Sequence, residues 1–152
     1  MESAKQYIEN NHSRILEELF GLIRIPSVSA RPEHKKDMKS AAEYITRCLL
    51  DAGADKAITM ETAGIPVVYG EKLLSDDLPT ILVYGHYDVQ PADPQELWKS
   101  PPFEPEVRDE KIYGRGADDN KGQFFIQLKA FEYIHKTGQL ACNVKFIIEG
   151  EE

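Results

Sequence analysis

The sequence predicts an α/β protein, with helices laid against a mostly parallel sheet, and three observations predict it. A continuous apolar run, Ile81-Leu82-Val83-Tyr84, stops at Gly85 and is followed by His86 and Asp88. Such a run, without polar alternation, suits a strand buried on both faces. A second strand-like run, Val144 to Ile148, leads into Glu149-Gly150-Glu151-Glu152. Between the two, helical periodicity runs from Gln123 to Lys136. Parallel strands joined by a helix place their carboxyl ends on one edge of the sheet, where α/β proteins bind ligands.

The remaining elements follow in chain order. Ala4 to Ile23 reads as a helix, because Ile8, Ile15, Leu16, Leu19, Leu22 and Ile23 recur at helical spacing with Glu9, Arg14, Glu17 and Glu18 between them. Pro26 ends it, and Ile25 to Ser29 reads as an extended connector. Lys36 to Ala52 is a second amphipathic helix, stopped by Gly53. Ala57–Thr62 and Ile65–Glu71 pair as a hairpin around Ala63-Gly64. After a polar loop comes the strand at Ile81. Prolines 91, 94, 101, 102 and 105 make the next stretch irregular, with Trp98 and Phe103 as anchors for it. Glu106 to Tyr113 forms a small hairpin turning at Asp109-Glu110, and Gly114 to Gly122 is a glycine-bounded turn into the helix at Gln123.

Composition narrows the function. The net charge of −8 over 152 residues argues against nucleic acid, whose phosphates need clustered cations. Lys35, Lys36 and Lys39 are diluted by Glu33 and Asp37 and make no basic stripe. No apolar run approaches membrane-spanning length, so no membrane contact is expected. Cys48 and Cys142, in apolar settings, read as buried free thiols of a reducing compartment, which places the protein in the cytoplasm. His12, His34 and His135 read as a helix-face, a loop and a helix-end histidine, without ligand roles.

The chemistry gathers at the strand ends. Residues i and i+2 of an extended chain point the same way, so Asp88 can hold the ring of His86 in one tautomer, as carboxylates do for metal-binding imidazoles. Asp118 and Asp119 stand at the turn into the helix; as an N-cap they need no further role. Convergence with His86 and the terminal glutamates changes that reading. Carboxylates packed together repel unless cations neutralise them. A histidine among carboxylates suits zinc, manganese or cobalt, and a pair of such ions would activate water for hydrolysis.

The segments GHYDVQP, IYGRGADDNKG and FIIEGEE, in this order and with the Trp98 to Phe103 spacing between the first two, resemble the co-catalytic di-zinc metallopeptidases of the carnosine dipeptidase, aminoacylase, carboxypeptidase G and succinyl-diaminopimelate desuccinylase type. The long GHYDVQPAD segment is most similar to the dipeptidase branch. The resemblance implies a three-layer zinc-peptidase-like catalytic domain, of which residues 1–152 form the N-terminal part, incomplete at its C-terminus. A lid and dimerisation domain, a further acidic ligand and a second metal-binding histidine lie outside it. It implies His86 and Asp119 as metal ligands, with Asp119 bridging, Asp88 as the residue that orients His86, and a cis peptide at Asp119–Asn120. Asp118 is secondary. Of the terminal acids, Glu152 is the general base in the preferred alignment, and Glu151 in the other. Two Zn2+ ions per complete site are implied, with Mn2+ or Co2+ as substitutes. The substrate would be a small peptide or an N-acyl amino acid, and the full-length form a homodimer. The fragment alone would be inactive. Two other readings remain: an N-acyl amino acid deacylase or desuccinylase on the same scaffold, and a non-catalytic module that binds at most one metal.

Overall fold

A computed structural model describes residues 3–152. Helix α1 (Ala4–Ile23) opens on a capping box: Ser3 Oγ accepts from the Gln6 amide, and Gln6 Oε1 accepts from the Ser3 amide. Helix α2 (Lys35–Ala52) stops at Gly53, whose φ of 110° only glycine adopts readily. The hairpin of β1 (Lys56–Met60) and β2 (Val67–Lys72) follows, then β3 (Thr80–His86). Strands β4 (Glu106–Arg108) and β5 (Lys111–Tyr113) form a separate hairpin, whose turn residues Asp109 and Glu110 both carry positive φ. Helix α3 (Lys121–Lys136) and β6 (Asn143–Glu149) close the chain. Among the described residues no helix is long and apolar enough to cross a membrane.

The main sheet has the order β1-β2-β6-β3. Only β3 and β6 run parallel; β1–β2 and β2–β6 are antiparallel. The α/β class stands, but the sheet is mixed rather than mostly parallel. The physical reason is the β1–β2 hairpin, which reverses direction before joining β6. The β3–β6 pair, bridged by α3, is the strand–helix–strand unit expected from sequence, and its register sets His86 beside Glu149.

The core lies between this sheet and the helices. Val68, Val83, Val144, Phe146 and Ile148 point to one face and meet Leu49, Phe124, Leu128 and Phe131 from α2 and α3. The opposite face bears Ile58, Met60, Leu82 and Tyr84, all exposed. Helices therefore flank one face within the described residues, where the three-layer expectation had both. The run Ile81–Tyr84, expected to be buried on both faces, forms the edge strand instead, with only Val83 buried. An apolar run reports a strand suited to burial; it does not report which neighbours the chain itself supplies. Cys48 and Cys142 are free, and half-buried rather than buried.

Candidate metal centre

Three elements deliver the candidate residues to one sheet edge. Strand β3 ends in His86, which is buried, and the chain continues extended so that Asp88, also buried, returns to the same side. His86 Nδ1 lies 3.1 Å from Asp88 Oδ1, and Asp88 Oδ2 accepts from Ser29 Oγ at 2.6 Å. The Ile25–Ser29 connector runs alongside: Ser27 Oγ donates to the Tyr87 carbonyl at 2.6 Å, and the Val89 amide donates to the Ser27 carbonyl at 2.8 Å. Between them, the Tyr87 side chain is fully buried and donates to the Pro66 carbonyl. The pair His86–Asp88 is thus held from both sides.

The turn into α3 supplies Asp119. The Asp119–Asn120 peptide is cis. Asn120 Oδ1 accepts from the His86 amide at 3.3 Å, which ties the start of α3 to the end of β3. That approach needs glycine at position 85, where a Cβ would stand 2.7 Å from Phe124 Cβ and 2.9 Å from Asn120 Oδ1. Gly122 has the same role within the turn, since a Cβ there would come 2.0 Å from the Ala117 carbonyl oxygen. Neither Asp118 nor Asp119 caps the helix; the N-cap is Asn120, without a side-chain cap bond.

His86 Nε2 faces the other acids, 3.3 Å from Asp119 Oδ1 and 3.6 Å from Glu152 Oε2. Asp119 and Glu152 are 73% and 63% exposed, whereas His86 and Asp88 are shielded, so the centre opens to solvent on its acidic side. Glu151 turns elsewhere: its Oε2 lies 3.4 Å from where a Cβ on Gly64 would be. With zinc–ligand bonds of about 2.0 Å in a tetrahedral site, neighbouring donor atoms stand about 3.3 Å apart. The His86–Asp119 spacing fits two ligands of one such ion, and an imidazole nitrogen with a carboxylate oxygen is a donor set zinc accepts. Among the described residues, no three His, Cys, Asp or Glu side chains are gathered so as to hold a metal by themselves.

The other histidines do not take part. His34 Nδ1 lies 2.7 Å from Asp37, His135 stacks on Phe131, and His12 is exposed on α1. Sequence reasoning missed three residues that support the centre. Ser29 was part of a connector with no assigned partner. Asn120 was assigned the cis peptide, but not its side-chain bond to the His86 amide. Lys121 is wholly buried, and its Nζ donates to the carbonyls of Leu22 and Ile25 at 3.1 and 2.7 Å, closing the C-terminal end of α1 against the start of α3. Burial pushes the Lys121 ammonium down to about 7, against the opposing pull of Asp88 and Asp37. The glycines around it, and its place in the turn, were the only sequence signal.

Residues 82–152 match Peptidase family M20/M25/M40. The chain is 36% identical to a cysteinylglycine-S-conjugate dipeptidase of Corynebacterium striatum over 93% of its own length and 31% of the relative's. It is 34% identical to the human Beta-Ala-His dipeptidase over all of its own length and 32% of the relative's. Its fold matches an M20 family metallo-carboxypeptidase from Sulfolobus solfataricus with a TM-score of 0.83 at 37% identity, covering 91% of this chain and 31% of that one. The chain thus spans about a third of the length of the relatives it matches. Over that span it is similar to these metallopeptidases, dipeptidases among them, and the resemblance drawn from the three motifs is borne out.

Proposed function

We propose, from the chain's place among these metallopeptidases, that residues 1–152 are the N-terminal part of the catalytic domain of a metal-dependent hydrolase of amide bonds, a dipeptidase. The observation that supports it most is the two-sided setting of one imidazole. His86 Nδ1 is committed to Asp88, and Nε2 is aimed at Asp119 and Glu152. Asp88 accepts the Nδ1 proton, so the Nε2 lone pair is left free, and the Ser29 hydroxyl keeps the Asp88 carboxylate from rotating. His86 and Asp119 would hold divalent metal, zinc by donor chemistry and family resemblance. When bound, a metal pair polarises the scissile carbonyl and makes water acidic enough to attack at neutral pH. Glu152 takes the proton of the attacking water on its carboxylate and passes it to the leaving amine. Its side chain lies on the open side of His86, which supports Glu152 over Glu151 in this role.

The remaining ligands of such a site would come from outside these residues, as would the contacts that choose a dipeptide over an N-acyl amino acid. A homodimer through a lid domain belongs to the same reading. Free Cys48 and Cys142 support a reducing, cytoplasmic location. The test is metal analysis of the full-length protein. His86→Ala and Asp119→Ala are each expected to lower bound zinc and to abolish dipeptide hydrolysis with the fold intact by circular dichroism. Unchanged metal content in both variants would refute the assignment.

A further inference from the structure

A second candidate site lies beside this centre. A cavity of about 580 Å³ opens between the start of α2 and the loop joining β1 to β2. Its charged lining is Arg31, Lys35, Lys36 and Lys39 against Glu61, with the Glu151 carboxylate beside Gly64 at the far end, in a chain whose net charge is −8. The sequence suggested that Glu33 and Asp37 would neutralise these lysines. Neither acid pairs with the lysines: Asp37 pairs with His34 at 2.7 Å, and Glu33 reaches Arg31, the other cation of the lining, at 3.8 Å. Arg31 is further engaged by Asp93. Among the described residues, Lys35, Lys36 and Lys39 take part in no ion pair, although i, i+1 and i+4 of a helix start bring them to one wall. The rest of the wall is largely apolar, with Pro32, Met38, Ile65 and Pro66. A concave surface of one sign over low-dielectric walls focuses its potential into the cavity and concentrates counter-ions there. Three ammonium groups with no protein partner leave their donors to a ligand.

We propose that this cavity binds a small molecule with at least two negative charges, carried by carboxylate or phosphate groups. Lys35, Lys36 and Lys39 supply charge-assisted hydrogen bonds, and Glu61 sets the limit of the anionic zone. The site does not depend on the metal chemistry. It adjoins it, because Ser29 lines the cavity and hydrogen-bonds Asp88. The test is calorimetric titration of the purified full-length protein with succinate and, separately, with inorganic phosphate at low ionic strength. The expected result is one saturable site that is at least tenfold weaker in the Lys35→Gln/Lys36→Gln/Lys39→Gln variant and that does not bind neutral succinamide. The tighter of succinate and phosphate identifies the group the site prefers. Binding that survives the triple substitution places the anion elsewhere, the metal centre included, and overturns the proposal. Equal binding of succinamide, or no binding of either anion by the unsubstituted protein, also overturns it. The lysines are exposed, so the variant is expected to keep its circular dichroism spectrum.

Discussion

An imidazole presents one nitrogen most readily when its other nitrogen is held, and at His86 it is Asp88 that holds Nδ1. The i, i+2 spacing made this pair legible in the sequence, because strand geometry alone puts both side chains on one side. Ser29 was not legible, since its bond to Asp88 joins segments 59 positions apart and no local pattern announces it. Lys121 was hidden for the same reason: lysine in a helix start reads as solvated until the C-terminal carbonyls of α1 are seen to surround it. Outer-shell partners of metal-binding histidines are worth about 10–100-fold in metal affinity. Asp88→Ala is therefore expected to weaken zinc binding by that factor in competition with a chromophoric chelator. Ser29→Ala should weaken it less, because one acceptor of the carboxylate remains engaged.

Helix boundaries came close to the observed ones because capping and periodicity are local: α1 matches its expected span, and α2 begins one residue earlier than expected. What periodicity did not reveal is how α1 and α3 are clamped. Glu132 of α3 is buried, yet it accepts from Tyr7 Oη at 2.7 Å, Arg14 Nη2 at 2.6 Å, Lys129 Nζ at 2.6 Å and Lys136 Nζ at 3.1 Å. Burial alone would raise its carboxyl; the bonds from Lys129, Arg14 and Tyr7 outweigh that and bring it down to about 2 from an ordinary value of 4.5. A carboxyl depressed in the folded state stabilises the fold above its unfolded pKa and loses that contribution as pH falls toward the folded one. The urea midpoint should accordingly fall as pH drops from about 4.5 toward about 2. Glu132→Gln should flatten that fall. The same variant should cost roughly 1–2 kcal/mol at neutral pH, because it removes the buried carboxylate shared by Tyr7, Arg14, Lys129 and Lys136, while Arg14 and Lys136 keep part of their hydration. A midpoint unchanged by the substitution would show that the clamp contributes nothing.

At the scale of the whole molecule, the sheet is half covered. The β3 run has the composition of a doubly buried strand, whose residues a second layer would cover, but Leu82 and Tyr84 are 58% and 55% exposed along an edge that no strand pairs among the described residues. Exposed apolar sheet faces and open edges associate. Expressed as these 152 residues, the chain should sediment with a concentration-dependent mass, and Leu82→Lys with Tyr84→Lys should return it to monomer. The order of elements and the meeting of His86 with the acids could be read from sequence, because right-handed strand–helix–strand units allow few arrangements. The β1–β2 hairpin was legible too, from its turn; its antiparallel docking on β6 and the cationic cavity were not, because both depend on which segments meet at a distance along the chain.

In the proposed reaction Glu152 moves the proton, while other residues would hold the metal. The most direct measurement is dipeptide turnover by zinc-loaded full-length protein carrying Glu152→Gln, with metal content determined on the same sample. If Glu152 is the general base, turnover should fall by about 10²–10⁴-fold while the His86–Asp119 metal stays bound. A rate near that of the unsubstituted protein, with metal retained, would contradict the assignment of Glu152 and return the role to Glu151 or to a residue beyond this chain.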